Sequence, residues 1–165
     1  MGAEVDYSES LAGAQFVKSG ADAGSGVEKS LAASAPASAA RKAFESPEQQ
    51  IAIFDAAPLA EQIASLEESL REMERNPRAY DELVAVWMAG DLKALDDDVL
   101  GPLRKAAPGL YARLVTERNA RWIEAIRARL DGSGRTVMVV GVGHLVGADG
   151  LPTRLRALGY EVEGP

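Results

Sequence analysis

The single histidine of this chain is the residue whose setting points most directly to chemistry. His144 follows an apolar run, Thr136–Val140, and Gly141 and Gly143 lie between the run and the histidine. Glycine lets the backbone take conformations closed to other residues and lets another group approach closely. In such a turn a neutral imidazole serves as a metal ligand, a general base or a structural residue that holds the turn. These roles stay open, and a tight turn alone would also explain the glycines.

The glycine spacing also invites comparison with a dinucleotide-binding loop. The pattern Gly141-x-Gly143-x-x-x-Gly147 departs from the GxGxxG fingerprint. Too little chain follows it for the second half of a dinucleotide-binding fold. The sequence therefore argues against a dinucleotide site.

A second group of polar residues lies in a helix predicted over residues 109–130. Val115, Trp122 and Ile126 form an apolar stripe, and Asn119 falls within it. A buried amide must find hydrogen-bond partners or cost roughly 1–3 kcal/mol. We therefore expect Asn119 either to bridge to a loop backbone or to serve in a site, beside an Arg118 that pairs with an acid or acts there itself.

Glu45 stands where a short strand predicted over residues 42–45 meets a helix start. Ser46 is a suitable N-cap, Pro47 suits the first helical position, and Gln49 completes a capping box. The positive end of a helix dipole favours a nearby carboxylate. Glu45 is therefore either a site acid or a surface residue beside the cap.

The remaining patterns set the expected organisation. Residues 1–41 are a weakly structured segment rich in Ala, Ser and Gly, with one short helix from Val27 to Ala35. We expect residues 1–20 to be poorly ordered or to need a partner. Residues 42–165 form the second region.

The second region alternates predicted strands and helices. Its parts are the strand at 42–45, a helical insertion over 47–100, the helix at 109–130, a strand and loop at 136–147, a helix near 151–158 and a strand at 160–162. The apolar run Thr136–Val140 is typical of a strand covered on both faces. This order predicts an α/β fold, with α+β as the alternative, built on a small, mostly parallel sheet.

Within the insertion, two apolar stripes are predicted to be core. Their residues are Leu59, Ile63, Leu66, Leu70 and Met73, then Tyr80, Leu83, Val84 and Trp87. Asp96, Asp97 and Asp98 resemble a cation site, but adjacent helical positions point about 100° apart. A solvated helix start is the better interpretation.

The composition excludes several classes of function. The formal net charge of −7 opposes general binding to nucleic acids and to anionic membranes. No apolar stretch approaches the ~20 residues of a membrane span. The absence of cysteine excludes a disulfide framework, a thiolate metal site and a cysteine nucleophile. No signal-peptide pattern opens the chain, so we expect a soluble protein or a processed fragment.

These motifs together resemble a known family. The segment Thr116-Glu117-Arg118-Asn119, then Val139-Val140-Gly141-Val142-Gly143-His144-Leu145, Gly150-Leu151 and Leu158-Gly159-Tyr160-Glu161-Val162, is similar to the C-terminal half of the TraB/GumN family, which includes the Tiki-type proteases. The segment Phe44-Glu45-Ser46-Pro47-Glu48-Gln49-Gln50 resembles the family's Leu-Glu-Thr segment. The resemblance runs from about residue 43 to residue 162.

The resemblance implies a metal-dependent, peptidase-like hydrolase acting on a peptide or protein. Such a protein carries two Gly-x-x-His motifs, a glutamate and an Arg-Asn pair. Carried over, the metal ligands are His144 and Glu45, the catalytic residues Arg118, Asn119 and Glu45, and the cofactor-binding residues Gly141 and Gly143. The implied cofactor is a divalent cation such as Mn²⁺, Co²⁺ or Zn²⁺. Many members are exported or associated with membranes.

The chain departs from the family pattern because one histidine cannot form two Gly-x-x-His motifs. We expect the other half-site to come from a separate N-terminal piece or a second copy, or the chain to be a truncated remnant. The alternative is a non-catalytic module that binds a peptide or partner protein through its helical stretch. Binding of iron or haem is a minor variant of that alternative.

Overall fold

The chain divides into two units, each made of two segments. The first unit comprises Met1–Arg41 and Ala57–Asp81, and the second comprises Lys42–Ala56 and Glu82–Pro165. The computed structural model describes residues 26–164. The expectation that residues 1–20 are poorly ordered lies outside the described residues.

The described residues form helices joined by turns and irregular segments. In chain order the helices are α1 (Val27–Ser34), α2 (Pro47–Asp55), α3 (Leu59–Arg75), α4 (Ala79–Ala89), α5 (Leu92–Ala94), α6 (Gly101–Ala106), α7 (Pro108–Tyr111), α8 (Glu117–Leu130) and α9 (Leu151–Ala157). The π-helical segments Leu95–Leu100 and Ala112–Thr116 join α5 to α6 and α7 to α8, and a 3-10 turn spans Val142–His144.

Residues 26–164 contain no strand, so the expected α/β fold with a parallel sheet is wrong and the described architecture is all-α. The run Thr136–Val140 makes no backbone–backbone hydrogen bond with a described segment, and Val137 is 75% exposed. The segments at 42–45 and 160–162 also form no ladder with any part of residues 26–164. β-Branched residues favour the extended conformation, but a strand forms only when a neighbouring segment pairs with it through backbone hydrogen bonds.

The start of α2 follows its local sequence signals. The Ser46 hydroxyl accepts a hydrogen bond from the Gln49 amide at 3.3 Å, and the Gln49 side chain accepts one from the Ser46 amide at 2.8 Å. Pro47 occupies the first turn. The predicted capping box is confirmed, and it places Glu45 directly before the cap.

The apolar stripe of α3 is not core. The helix spans Leu59–Arg75, and none of its residues is buried. The described portion of the first unit supplies no hydrophobic cluster against this stripe. The prediction of a helix was right and the prediction of burial was wrong, because periodicity defines a face without defining what covers it.

The apolar core of the second unit comprises two clusters. The first contains Leu95, Leu100, Tyr111, Val115 and Val146, and the second contains Trp122, Ile123, Ile126 and Leu151. The apolar stripe predicted over residues 109–130 therefore contributes to both clusters, with Val115 in the first and Trp122 and Ile126 in the second. Of the α4 stripe, Leu83 packs on the first cluster, whereas Trp87 is half exposed.

The loop after His144 packs closely against its surroundings through glycine. Gly147 has a φ of 74°, and a Cβ there would lie 2.5 Å from Asp96 Oδ1. Asp96 pairs with Arg104, so it is not a free cation ligand. Neither Gly141 nor Gly143 has a positive φ, contrary to the expectation of a conformation closed to other residues.

Gly150 and Gly141 have nearly the same backbone conformation but different packing environments. Both precede a helical turn with nearly the same backbone angles, −61° and 145° for Gly150 and −59° and 143° for Gly141. A Cβ at Gly150 would lie 2.7 Å from the Leu145 carbonyl oxygen, whereas a Cβ at Gly141 would reach only His144 Cδ2 at 4.0 Å.

We therefore expect Gly150→Ala to lower the free energy of unfolding by about 1–3 kcal/mol, the usual cost of overpacking. Gly141→Ala, its matched control, should be neutral or raise stability by about 0.5 kcal/mol, because alanine restricts the unfolded chain. Urea unfolding of both variants measures the difference. Equal effects would contradict the packing of this loop.

Candidate functional site

Asn119 of α8 is the polar centre of the second unit, and its exposed fraction is 0%. Its amide nitrogen donates to the carbonyl oxygens of Asp149 at 2.8 Å and His144 at 3.3 Å. Its amide oxygen lies 2.8 Å from Nδ1 of the His144 ring. The predicted bridge from this amide to a loop backbone is therefore present.

This arrangement determines the tautomer of His144. Because both neighbours of the Asn119 amide nitrogen are carbonyl oxygens, that nitrogen must be the donor and the amide oxygen must face the ring. The oxygen can only accept, so Nδ1 carries the proton and donates it. Nε2 then holds the unshared pair, and it makes no hydrogen bond with the described residues.

The imidazole is neutral at physiological pH. Burial and, to a smaller extent, the positive charge of Arg118 lower the pKa of His144 to about 4, although the negative charge of Glu45 acts in the opposite direction. An imidazole with so low a pKa is a weak proton acceptor, so it is poorly matched to general-base catalysis near pH 7. Its unshared pair, however, stays free of protons for binding a ligand.

Glu45 carries a buried negative charge, and its side chain is only 4% exposed. Arg118 donates to both carboxylate oxygens, from Nε at 3.1 Å and from Nη2 at 2.8 Å. The indole of Trp122 donates at 3.2 Å and Arg121 at 3.4 Å. Burial by itself raises the pKa of the carboxyl, but Arg118, then Trp122 and Arg121, lower it below its ordinary value.

Trp122 contacts both groups. Its ring centroid lies 4.4 Å from that of His144 and 5.0 Å from that of Phe44, and the Arg118 guanidinium lies 4.7 Å from its centroid. Its indole nitrogen serves Glu45, while its ring packs against the imidazole. The pair Glu45–Arg118 and the pair Asn119–His144 are therefore joined through one aromatic side chain.

The structure brings together four of the residues that the sequence proposes for the site: Glu45 with Arg118, and Asn119 with His144. Gly141 lies beside the His144 ring, and Gly143 lies where a Cβ would be 3.3 Å from Leu100. A side chain at Gly143 would therefore require Leu100 to shift by a few tenths of an ångström. The catalytic and cofactor-binding roles of these residues stay predictions.

The residues around His144 meet some, but not all, of the requirements for binding a divalent cation. A metal-ligating histidine usually donates its second ring N–H to an oxygen, and the Asn119 oxygen fills this role for His144. Both oxygens of Glu45 already accept hydrogen bonds from cationic donors, which leaves this carboxylate poorly suited to a metal. Residues 26–164 hold no group of three or more candidate ligands, so they do not form a complete metal site.

In the described chain, the fold and the site define an all-helical protein with a buried, neutral histidine held by a buried amide. A family model described as TraB/PrgY/gumN matches residues 7–164, and the chain belongs to this family. Comparison with curated proteins and with solved structures found no match. None of the described helices is both long and apolar enough to cross a membrane.

Sequence reasoning missed three residues that hold the site. Trp122 was assigned only to the core, although it follows Arg118 by four positions and thus lies on the same helix face. Asp149 accepts from Asn119 through its backbone and from the Tyr111 hydroxyl, at 3.1 Å, through its carboxylate. No local sequence pattern predicts a role for Asp149 or Tyr111, because the hydrogen bond between them joins residues 38 positions apart.

Replacing Glu45 by glutamine should lower the free energy of unfolding by about 3 kcal/mol, because it leaves the Arg118 charge buried without its partner. The matched control is Glu67→Gln, which breaks a solvent-exposed pair with Arg71 and should leave the free energy of unfolding nearly unchanged. Urea unfolding compares the two. A loss at Glu45 as small as that at Glu67 would contradict the buried pair.

The His144 ring should stay neutral far below its ordinary pKa. Its unfolded pKa is near 6.5 and its folded pKa about 4, so only the unfolded chain gains a proton between these values. Stability should therefore be full above about pH 6.5 and fall by up to about 3 kcal/mol toward pH 4. NMR titration of this single histidine measures its pKa directly. In His144→Gln the decline above about pH 5 should vanish, and a folded pKa near 6.5 would contradict the site.

Proposed function

We propose that this chain supplies one imidazole ligand, His144 Nε2, to a metal-dependent hydrolase site that acts on a peptide or protein. The orientation of the Asn119 amide carries the proposal, because it holds the ring proton on Nδ1 and leaves the unshared pair on Nε2. Gly141 lies next to Cδ2, the ring atom adjacent to Nε2, and its lack of a side chain leaves room on that edge.

The proposal requires ligands beyond His144. Catalytic zinc sites use three protein ligands, and the described residues supply no such group. In this proposal the others come from a second copy of the chain. The cation, Mn²⁺, Co²⁺ or Zn²⁺, would supply Lewis-acid activation of water or of a carbonyl group.

In our proposal the neighbouring residues hold the functional groups of this site in position. Asn119 fixes the ring of His144, and Glu45 fixes the guanidinium of Arg118 and the indole of Trp122. Glu45 then acts through the residues that it holds rather than as a metal ligand. Arg118, which also donates from Nη1 to the Leu114 carbonyl oxygen at 3.3 Å, keeps Glu45 charged and fixed in this proposal.

A non-catalytic binding module is the second candidate. The saturated carboxylate of Glu45 favours it, because a buried acid with three donors is typical of a structural centre. In this alternative His144 and Asn119 only hold the loop to α8, and the chain binds a peptide or partner protein through the helices between residues 47 and 100.

Thermal unfolding with Mn²⁺, Co²⁺ or Zn²⁺ distinguishes the candidates. The proposal expects at least one ion to raise the Tm of the full chain by about 3 °C or more, since a ligand that binds only the folded state stabilises it. His144→Ala should abolish the rise. Asp98→Ala is the control for weak binding to the exposed acidic cluster, and it should retain the rise.

The NMR signal of His144 provides the second measurement. The ring signal should broaden with paramagnetic Mn²⁺ or Co²⁺ at the concentrations that raise the Tm. A Tm rise that survives in His144→Ala would contradict the proposal, as would a ring signal that does not respond. Unchanged Tm values with all three ions would favour the binding module.

A further inference from the structure

Helix α3 carries an apolar face that the described chain leaves uncovered. Four apolar residues of this face have exposed fractions between 39% and 70%, and they are Leu59, Ile63, Leu66 and Leu70. Met73 continues the row and is half-buried. A helix of 17 residues with no buried residue is unusual, because most helical stability comes from a packed apolar face.

The spacing of this row is that of a coiled-coil seam. Its apolar residues recur at alternating intervals of four and three, so Ile63 and Leu70 take the a positions and Leu59, Leu66 and Met73 the d positions of a heptad. A stripe limited to a and d is narrower than the face that a helix usually turns to a globular core. The seam therefore fits a single partner helix.

The intrahelical ion pairs of α3 leave this seam free. Arg71 pairs with Glu67 at 2.8 Å and with Glu68 at 3.2 Å, and Arg75 pairs with Glu68 at 2.5 Å. These residues occupy positions other than a and d. They support the helix without covering its apolar face.

The charge beside the seam selects the partner. The helix has five glutamates and two arginines, a net charge of −3, and Glu67 and Glu74 occupy the flanking e positions. An antiparallel second copy would place the same acidic flank opposite this one, and a parallel copy would offer only the uncharged g residues Gln62 and Ser69. An anionic membrane would repel the acidic flank. A helix with lysine or arginine at its flanking positions complements it, since e and g charges set partner choice.

We propose that the exposed seam of α3 is a docking site for an amphipathic helix of another protein, with apolar a and d residues and basic flanking residues. Docking covers Ile63, Leu66 and Leu70 and brings basic side chains to Glu67 and Glu74. This site does not involve His144 and goes beyond the proposed hydrolase function, and it specifies the surface and the partner chemistry that the binding-module candidate leaves open.

Two synthetic peptides test the proposal on the full chain. Both carry the same Ile and Leu seam over about three heptads, one with lysine and the other with glutamate at the e and g positions. Titration calorimetry should show binding of the lysine peptide that weakens as salt is added. The glutamate peptide should bind at least about tenfold more weakly.

Variants locate the binding surface. Leu66→Ser should weaken binding of the lysine peptide by about tenfold or more, because it removes an anchor at the centre of the seam. Leu130→Ser is the matched control, since Leu130 is comparably exposed on α8, and it should leave binding unchanged. Circular dichroism of both variants verifies that each stays folded.

The remaining outcomes overturn the proposal. Absence of binding, equal binding of both peptides, or binding unaffected by Leu66→Ser would each contradict it. Sedimentation that reveals self-association abolished by Leu66→Ser would assign the seam to a second copy. Association with vesicles of anionic phospholipid, abolished by the same substitution, would assign the seam to a membrane surface.

Discussion

The buried amide of Asn119 is the constraint on which the second unit depends. It lies without solvent contact in the apolar stripe of α8, so its donor and its acceptor must both be matched within the protein. Two loop carbonyls and one ring nitrogen provide the match. Because the two carbonyl oxygens can only accept, they fix the orientation of the amide, and the amide oxygen then fixes the ring proton of His144 on Nδ1. An apolar residue at this position would pack as well, but it would hold neither.

The buried carboxylate of Glu45 organises the same helix from the other side. Its burial is tolerated because Arg118 contacts both oxygens and Trp122 adds a neutral donor. Residues 42–45, which have no ladder to hold them, are thereby attached to α8. The indole of Trp122 lies between the two polar pairs. It couples their positions by packing and hydrogen bonding, and it does not transfer protons between them. A displacement of Glu45 would therefore reach the imidazole through the orientation of Trp122.

The sequence could predict features that are decided by neighbouring residues. The capping box at Ser46 needs only Pro47 and Gln49, and the bounds of α3 follow from its own periodicity and from Asn76-Pro77. The need of Asn119 for partners could be predicted from its stripe. The identity of those partners could not, since Asp149 lies thirty positions away. The prediction of a strand at Thr136–Val140 was wrong because it also depended on distant residues. The run favours strand pairing by composition, but no described segment pairs with it.

The unpaired run at Thr136–Val140 also bears on how the protein behaves in concentrated solution. It combines β-branched side chains with zero charge, and it exposes backbone donors and acceptors without a ladder. Segments of this kind template intermolecular cross-β stacking. Arg135 and the excess of seven negative charges oppose it, in the manner of gatekeepers. We therefore expect acidification or high ionic strength, which weaken this electrostatic repulsion, to favour aggregation of the protein.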